Sequence, residues 1–192
     1  MTMFRTVPPT VLAVPLADAK GALRIEDDST DLDDQVTAWT KGVIAAAENK
    51  TGQCLMQQTW EVRLDDFPDC ELELPHPVIE ITSVKYLDQA GTERTLAPEA
   101  YRLKREAYRT TIRPVGGVDW PLTQDAEDAE ADPVVVAVVC GYGDATTDVP
   151  EAFTLYILAK LVEQFDPAAR MERDTVQSTF IEGLLDGLVR GR

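Results

Sequence analysis

Residues 31–53, DLDDQVTAWTKGVIAAAENKTGQ, carry the pattern of one long amphipathic helix, and the rest of the chain is organised around them. Their apolar side chains recur at steps of three and four, which places them on one helix face: Leu32, Val36, Trp39, Val43, Ala46 and Ala47. Thr30 is suited to cap the start of this helix, and Gly52 is suited to end it in a left-handed conformation. We therefore predict a helix over residues 31–51 whose apolar face needs a partner.

The partner is predicted far along the chain, at residues 150–165. Pro150 suits the first turn of a helix, and the following AFTLYILAKLVEQF is apolar on almost all sides, as is typical of a buried helix. No other segment of comparable length offers a second apolar face. The two helices should therefore pack on each other as a small helical core, with residues 55–142 inserted between them.

The inserted region shows the alternation of β-strands. Trp60, Val62 and Leu64 alternate with charged side chains, and residues 101–103 and 110–112 indicate a hairpin. The apolar phase slips between Ile81 and Val84, which suggests a bulge, and residues 88–91 form a turn pattern that ends in glycine. Residues 133–142, PVVVAVVCGY, form a continuous β-branched run that predicts a central strand buried on both faces.

The C-terminal residues predict a further amphipathic helix over 175–190. Gly183 and Gly187 each cost such a helix about 1 kcal/mol relative to alanine, so it needs a partner surface to remain helical. We expect residues 174–192 to serve assembly more than folding. The candidate interface consists of the apolar side chains and one arginine of this tail: Phe180, Ile181, Leu184, Leu185, Leu188 and Arg190.

Together these segments, with a short first helix at 15–23, predict an α+β fold. It consists of the helical core, the inserted antiparallel β-rich region and the C-terminal helix, within a single domain spanning residues 1–192.

Charge and composition exclude several classes of function. The formal net charge is −16, so the chain would repel duplex DNA and anionic membranes on average. The first 20 residues carry only a short apolar patch interrupted by Pro8, Pro9 and Pro15, which is neither a signal peptide nor a membrane span. Three cysteines without C-x-x-C spacing indicate buried thiols in a reducing compartment rather than disulfides or a zinc site. We expect the protein to be made in the cytoplasm.

Motifs that would indicate catalysis, a metal or a cofactor are missing. His76 is the only histidine and lies between two prolines, without a companion serine or a second ligand. The acidic run at 125–132 lacks the glycine and the ligand spacing of a calcium loop, and Asp65 and Asp66 point to opposite faces of a strand. The glycines at 141 and 143 are not followed by the remainder of a dinucleotide-binding fingerprint. The sequence therefore predicts no enzyme, no metal and no cofactor.

One cluster of basic residues stands out against the acidic background, and it lies on the predicted hairpin. A solvated hairpin face explains it, and so does a docking strip for an acidic neighbour, including another copy of this chain in a ring. The candidate strip comprises Arg102, Lys104, Arg105, Arg109 and Arg113.

Taken in order, the segments resemble the head–tail connector (adaptor, or head-completion) family of tailed bacteriophages and gene transfer agents. The resemblance runs from about residue 16 to the end of the chain and depends on the succession of segments rather than on one motif. These are LADAKGALRIEDDSTDLDDQVTAWTKGVIAAAENKTGQCLMQQTWEVRLDDFP, LPHPVIEITSVKYLDQAGTERTL, IRPVGGVDWP, VVVAVVCGYGDATTDVPEAFTLYILAKLVEQF and FIEGLLDGLVRGR. The chain departs from the family at Gln164, Phe165 and Asp166, where a Tyr-Glu-Arg-like helix end is expected.

The resemblance implies a non-enzymatic virion protein, assembled in the host cytoplasm. Such proteins form a ring, commonly twelve-fold, beneath the portal and pass DNA to the tail. Implied partners are the portal protein, tail-side connector or terminator proteins and copies of the same chain, with no tight hold on the DNA and no membrane. The acidic composition agrees with this role, because a basic lumen would retain phosphates.

Two other classes of function remain open at this point. One is a cytoplasmic protein-binding or regulatory module that docks a partner through its C-terminal helix. The other is a hydrolase that uses the acidic residues, which is disfavoured because no carboxylate pair has catalytic spacing. Neighbouring genes for a portal, a protease and a major capsid protein would favour the connector.

Overall fold

The computed structural model describes residues 1–116, 118–165 and 177–189, and the chain divides into two compact units. The sheet unit comprises Met1–Pro9 and Gln57–Gly141, and the helical unit comprises Thr10–Met56 and Tyr142–Arg192. The internal boundaries lie within two residues of the predicted insertion. Helices and antiparallel sheets are both present, which confirms the predicted α+β class.

The helical unit contains the predicted long helices. Its elements are α1 (Leu16–Leu23), α2 (Asp33–Thr51), α3 (Glu151–Phe165) and α4 (Gln177–Gly183), with 3₁₀ turns at Thr146–Asp148 and Asp186–Leu188. Helix α2 ends at Gly52, whose φ of 69° is the left-handed conformation that glycine adopts without strain. The predicted cap Thr30 is wrong: Leu32 precedes the helix, because Asp33 N donates to Thr30 O (3.2 Å) and closes a separate turn first.

The predicted packing of α2 on α3 is confirmed. Val36 and Ala47 of α2 and Ile157 of α3 are fully buried in one apolar cluster. Trp39 is half-buried and meets Phe165 edge-on, with 5.8 Å between ring centroids. Ala46, placed on the apolar face by the sequence pattern, is exposed. The contact thus uses a narrower stripe of α2 than the sequence predicted.

A buried lysine organises the loop between α1 and α2. Lys20 is only 3% exposed, and its Nζ donates to Asp27 O (2.9 Å) and Ser29 O (2.7 Å) and pairs with Asp33 Oδ1 (3.0 Å). A buried ammonium group is tolerated only when its donors are satisfied, and here three acceptors do so. The acidic loop between α1 and α2 is therefore fixed in place by Lys20.

The described residues of the sheet unit form eight strands in two antiparallel sheets. The first has the order β1-β2-β8-β4-β5 and the second the order β3-β7-β6. The strands are β1 (Thr2–Val7), β2 (Gln58–Leu64), β3 (Leu72–Leu74), β4 (Val78–Leu87), β5 (Glu93–Thr95), β6 (Tyr101–Arg105), β7 (Thr110–Pro114) and β8 (Val134–Cys140). Side chains from both sheets share one core, in which Val62, Leu72 and Ile112 are buried.

Strand β8 is central, as predicted, but it is not buried equally on its two faces. Val134, Val136, Val138 and Cys140 are fully buried, whereas the alternating residues Val135, Ala137 and Val139 are only half-buried. The prediction of burial on both faces is therefore wrong. A strand of an antiparallel sheet needs only one face on the core, and small or β-branched side chains are compatible with the less covered face.

The predicted irregularities of the sheet unit are confirmed. The register of β4 against β8 shifts between Ile81 and Ser83, at the predicted slip, and again between Val78 and Glu80. Gly91 has a φ of 75° in the turn after β4. The short strands β1 and β5 were not predicted. Cys54 and Cys140 are buried thiols, as expected, whereas Cys70 is exposed.

Candidate assembly surfaces

The hairpin of β6 and β7 spreads the predicted basic strip over two faces. Arg102 lies opposite Arg113 and Lys104 opposite Thr111, while Leu103 lies opposite the fully buried Ile112. Because neighbouring strand residues alternate between faces, Arg102, Lys104 and Arg113 share the outer face. Arg105 alternates to the other face, where its guanidinium donates to Val78 O (3.3 Å) and Ile79 O (3.2 Å). The strip is therefore not one continuous surface.

Acidic side chains of the same unit neutralise part of the strip. Lys104 Nζ lies 2.8 Å from Glu106 and 3.7 Å from Glu71, and Arg109 Nε lies 3.6 Å from Glu73. The hydrogen bond to Glu106 raises the pKa of Lys104, and the same bond lowers the pKa of Glu106. Among the described residues, Arg102, Arg105 and Arg113 have no ion-pair partner. Arg105 donates to backbone carbonyls on the other face, so Arg102 and Arg113 carry the uncompensated charge of the outer face.

The predicted C-terminal interface is divided between core and surface. Leu185 is fully buried and Ile181 is 7% exposed, and both belong to the apolar cluster of the helical unit. Leu184 and Leu188 are half-buried against the same cluster, whereas Phe180 is 65% exposed. Arg190 lies outside the described residues. The two most buried side chains thus hold the tail, and Phe180 is the large apolar side chain that remains available.

The tail is a short helix followed by a tighter turn, rather than the continuous helix predicted over 175–190. Helix α4 ends at Gly183, and the chain then forms the 3₁₀ turn Asp186–Leu188. The two glycines predicted to weaken the helix lie at the end of α4 and within that turn. This explains why the apolar side chains do not form the straight stripe that helical spacing predicted.

Polar contacts fix the tail to the helical unit. Lys50 Nζ pairs with one carboxylate oxygen of Glu182 (2.6 Å), and Lys160 Nζ pairs with the other (2.5 Å). The hydrogen bond from Lys160, which has the largest effect, and the one from Lys50 both lower the pKa of Glu182. Gln53 Nε2 also donates to Leu188 O (2.6 Å). This network could not be predicted from the sequence, because its members come from three separate segments and show no local pattern.

The described part of the helical unit has at least two open grooves. One, with a volume of about 810 Å³, runs beside α1 and the start of α3, where Leu155 is 48% exposed. The other, of about 340 Å³, lies between Trp39 and Val43 of α2 and Tyr156 and Lys160 of α3. Both are open and lined largely by apolar side chains, so they suit packing against protein better than enclosure of a small ligand.

Strand β1 is an exposed sheet edge that sequence analysis missed. It pairs with β2 on one side, and all six of its residues are exposed, with Phe4 48% and Val7 52% exposed. An apolar edge strand is a surface that natural proteins normally cover or pair. The signal was present in TMFRTV, which has strand-forming residues and is followed by two prolines.

The residues weighed for catalysis have structural roles. His76 is buried, and its Nδ1 shares a hydrogen bond with Thr110 Oγ1 (2.8 Å), while burial lowers its pKa. Asp66 accepts hydrogen bonds from Phe67 N (2.7 Å) and Thr123 Oγ1 (2.8 Å). Within the ranges 1–116, 118–165 and 177–189, no group of histidine, cysteine and carboxylate side chains is arranged to hold a metal ion. In the same ranges, no helix has both the length and the apolar character needed to span a membrane.

Comparison with known proteins gives a match in structure only. No family model matches the sequence, and none of the curated proteins does. A chain from the virion of a native gene transfer agent (GTA) particle has a TM-score of 0.80 at 18% identity, covering 100% of this chain and 97% of that one. A chain from the neck of an empty GTA particle, computed with C6 symmetry, has a TM-score of 0.74 at 20% identity, covering 86% and 84%.

A third structure extends this likeness. A chain from the neck of a native GTA particle, computed with C12 symmetry, has a TM-score of 0.68 at 21% identity, covering 86% of this chain and 82% of that one. The chain therefore shares the fold of proteins found in GTA necks and virions. This agrees at the level of fold with the family that the order of sequence segments suggested.

Proposed function

We propose that this chain is a structural protein of a phage-like particle, located in the ring-shaped connector between head and tail. The likeness in fold to chains of GTA necks and virions carries the proposal, because it extends over most of this chain and most of theirs. In this role the protein is assembled in the host cytoplasm and ends in the particle. It has no catalytic step and needs no cofactor.

The proposed ring uses copies of one chain around an axis. The related neck structures were computed with C6 and C12 symmetry, which supports a six-fold or twelve-fold repeat here. A closed ring of identical copies needs two different surfaces that complement each other. The described residues offer several exposed surfaces of different character, including the apolar edge β1 and the outer face of the β6–β7 hairpin.

The C-terminal tail is proposed to contact the neighbouring proteins of the neck, which are the portal protein and the tail-side connector or terminator proteins. Phe180 is the side chain expected to enter such a contact, because it is exposed on a segment that Ile181 and Leu185 hold in place. Large aromatic side chains presented from a fixed backbone are typical centres of binding energy at interfaces. Leu184 and Leu188 would border this contact.

DNA is proposed to pass through the ring without being held. The purified protein should therefore not retard duplex DNA in a gel at micromolar concentration and physiological salt. The reason is the net charge of −16, together with the neutralisation of Lys104 and Arg109 by carboxylates of the same chain. A retarded band that disappears steeply with added salt would contradict this prediction and would identify phosphate contacts.

Deletion of the gene in the producing host tests the proposed function. Electron micrographs should show filled heads without tails, and wild-type protein supplied in trans should restore tailed particles. Phe180→Ala should fail to restore them although the protein folds, whereas Leu122→Ala, which truncates an exposed apolar side chain outside the surfaces described above, serves as the matched control and should restore them. Tailed particles at normal yield in the deletion strain would reject the connector role and favour the cytoplasmic binding module.

A further inference from the structure

Two arginines of the hairpin face each other without a counter-charge. Arg102 and Arg113 are direct cross-strand partners of β6 and β7, and both are exposed. Directly opposed residues of an antiparallel pair have Cβ atoms about 4.5–5.5 Å apart, where like charges destabilise the sheet. Lys104 lies on the same face, but its hydrogen bond to Glu106 and the charge of Glu71 raise its pKa, and Arg113 opposes them only in part. Arg102 and Arg113 are therefore the two cations of this face that have no ion-pair partner among the described residues.

The carboxylates that could relieve this repulsion are engaged elsewhere. Glu71 lies 3.7 Å from Lys104, and Glu73 pairs with Arg109. Neither carboxylate is within ion-pair distance of Arg102 or Arg113. Among the described residues, neither Arg102 nor Arg113 has a carboxylate within ion-pair distance. A guanidinium pair of this kind is suited to bind carboxylates that arrive from another molecule.

The helical unit carries a surface of the opposite charge. In the segment 26–34, the side chains of Glu26, Asp27, Asp28, Asp31 and Asp34 are exposed, and in the described part of the chain none of them has an ion-pair partner. Lys20 holds the backbone of this segment from inside through Asp27 O and Ser29 O. The carboxylates are thus presented from a fixed loop, which reduces the entropy lost when they bind.

The other acidic segment, 125–132, is a weaker candidate. Asp132 already pairs with Arg63 (3.3 Å), and Asp125 Oδ1 already accepts a hydrogen bond from Glu127 N (3.2 Å). It also belongs to the same unit as the arginines, whereas segment 26–34 belongs to the other unit.

We propose that Arg102 and Arg113 of one copy bind the acidic segment 26–34 of the next copy in the ring. The occupant is a second copy of this chain, chosen because the charges are complementary and because, among the described residues, neither Arg102 and Arg113 nor the exposed carboxylates of segment 26–34 have an ion-pair partner. The contact uses different surfaces of the two copies, as a closed ring requires. This contact rests on the proposed ring, and it specifies which surfaces of neighbouring copies meet.

A charge swap tests the contact in purified full-length protein. Arg102→Glu with Arg113→Glu should weaken self-association about tenfold or more in sedimentation velocity at low salt, since opposed like charges are repelled across the contact. Asp27→Arg with Asp28→Arg should weaken it similarly, and the chain carrying all four changes should regain association. Lys41→Glu with Lys85→Glu makes the same change in net charge as the first variant, outside both surfaces, and should have a smaller effect.

Cysteine cross-linking provides a second readout that works even when free protein associates weakly. In a Cys70→Ser background, Arg113→Cys combined with Asp28→Cys should give disulfide-linked multimers under oxidation, and Arg113→Cys combined with Lys41→Cys should give few. Absence of these multimers overturns the proposal, and so does failure of the four-fold variant to regain association. Duplex DNA binding that is lost in the Arg102→Glu, Arg113→Glu variant would also overturn it and assign the arginines to phosphate.

The contact and the proposed function fail in different ways. If the deletion strain makes tailed particles while the charge swap behaves as expected, the connector role is wrong but the contact between copies stands. If the deletion strain lacks tails while charge reversal leaves association unchanged, the connector role stands and this contact is wrong.

Discussion

Leu185→Ala should lower the free energy of unfolding by about 2–5 kcal/mol, the usual cost of removing a buried leucine side chain. Leu185 is fully buried in the apolar cluster of the helical unit, and the same cluster contains Ile181 of α4. The truncation would leave a cavity beneath the tail and weaken its attachment. Urea unfolding followed by circular dichroism measures the change.

Phe180→Ala is the matched control on the same tail. Phe180 is 65% exposed, so its truncation should change the free energy of unfolding by no more than about 0.5 kcal/mol, as is usual for surface substitutions. The pair separates folding from assembly: Leu185→Ala should reduce stability, and Phe180→Ala should reduce only the joining of tails. If Leu185→Ala costs under about 1 kcal/mol, the tail is not part of the core.

This prediction replaces an expectation drawn from sequence alone. The sequence led to the expectation that residues 174–192 serve assembly more than folding, which implies that truncation after residue 173 would leave the thermal melt nearly unchanged. The burial of Ile181 and Leu185, together with the ion pairs of Glu182 to Lys50 and Lys160, now leads us to expect a destabilised protein. Whether the tail also serves assembly is the separate question that Phe180→Ala addresses.

Phe153→Ala should lower the free energy of unfolding by about 3–5 kcal/mol, the range for buried phenylalanine truncation. Phe153 is fully buried in α3, and its ring lies 6.0 Å from that of Tyr142 between centroids. The substitution removes the largest fully buried side chain among the described residues and leaves a cavity within the cluster that contains Val36 and Ile157. The midpoint of urea unfolding should fall accordingly.

Leu155→Ala, two residues further along α3, provides the control for Phe153→Ala. Leu155 is 48% exposed beside the larger groove, so Leu155→Ala should lower the free energy of unfolding by much less than Phe153→Ala. Equal losses at the two positions would mean that helix α3 is buried on all sides, as its apolar sequence first suggested. Unequal losses would agree with an α3 that has one face in the core and one face bordering a groove.

The segments with strong local periodicity were predicted well. The bounds of α2 and α3, their mutual packing, the strands β2, β6, β7 and β8 and the slip in β4 all follow from patterns within a few residues of each other. The basic residues were correctly predicted to lie on the hairpin, but the prediction did not show which of them pair with carboxylates of the same chain. Only the pairing of Lys104 with Glu106 could have been inferred from neighbouring positions.

The sequence by itself determined the long helices α2 and α3, the strands of the inserted region other than β5, and the packing of the two distant helices in a core, because apolar side chains at helical or strand spacing record burial locally. The tertiary structure alone decided which of these surfaces remain available. Glu73 neutralises Arg109 from another strand, Lys20 anchors the acidic segment from inside, and Ile181 and Leu185 enter the core of the helical unit. Each depends on residues that the fold brings together, so no local pattern in the chain reveals them.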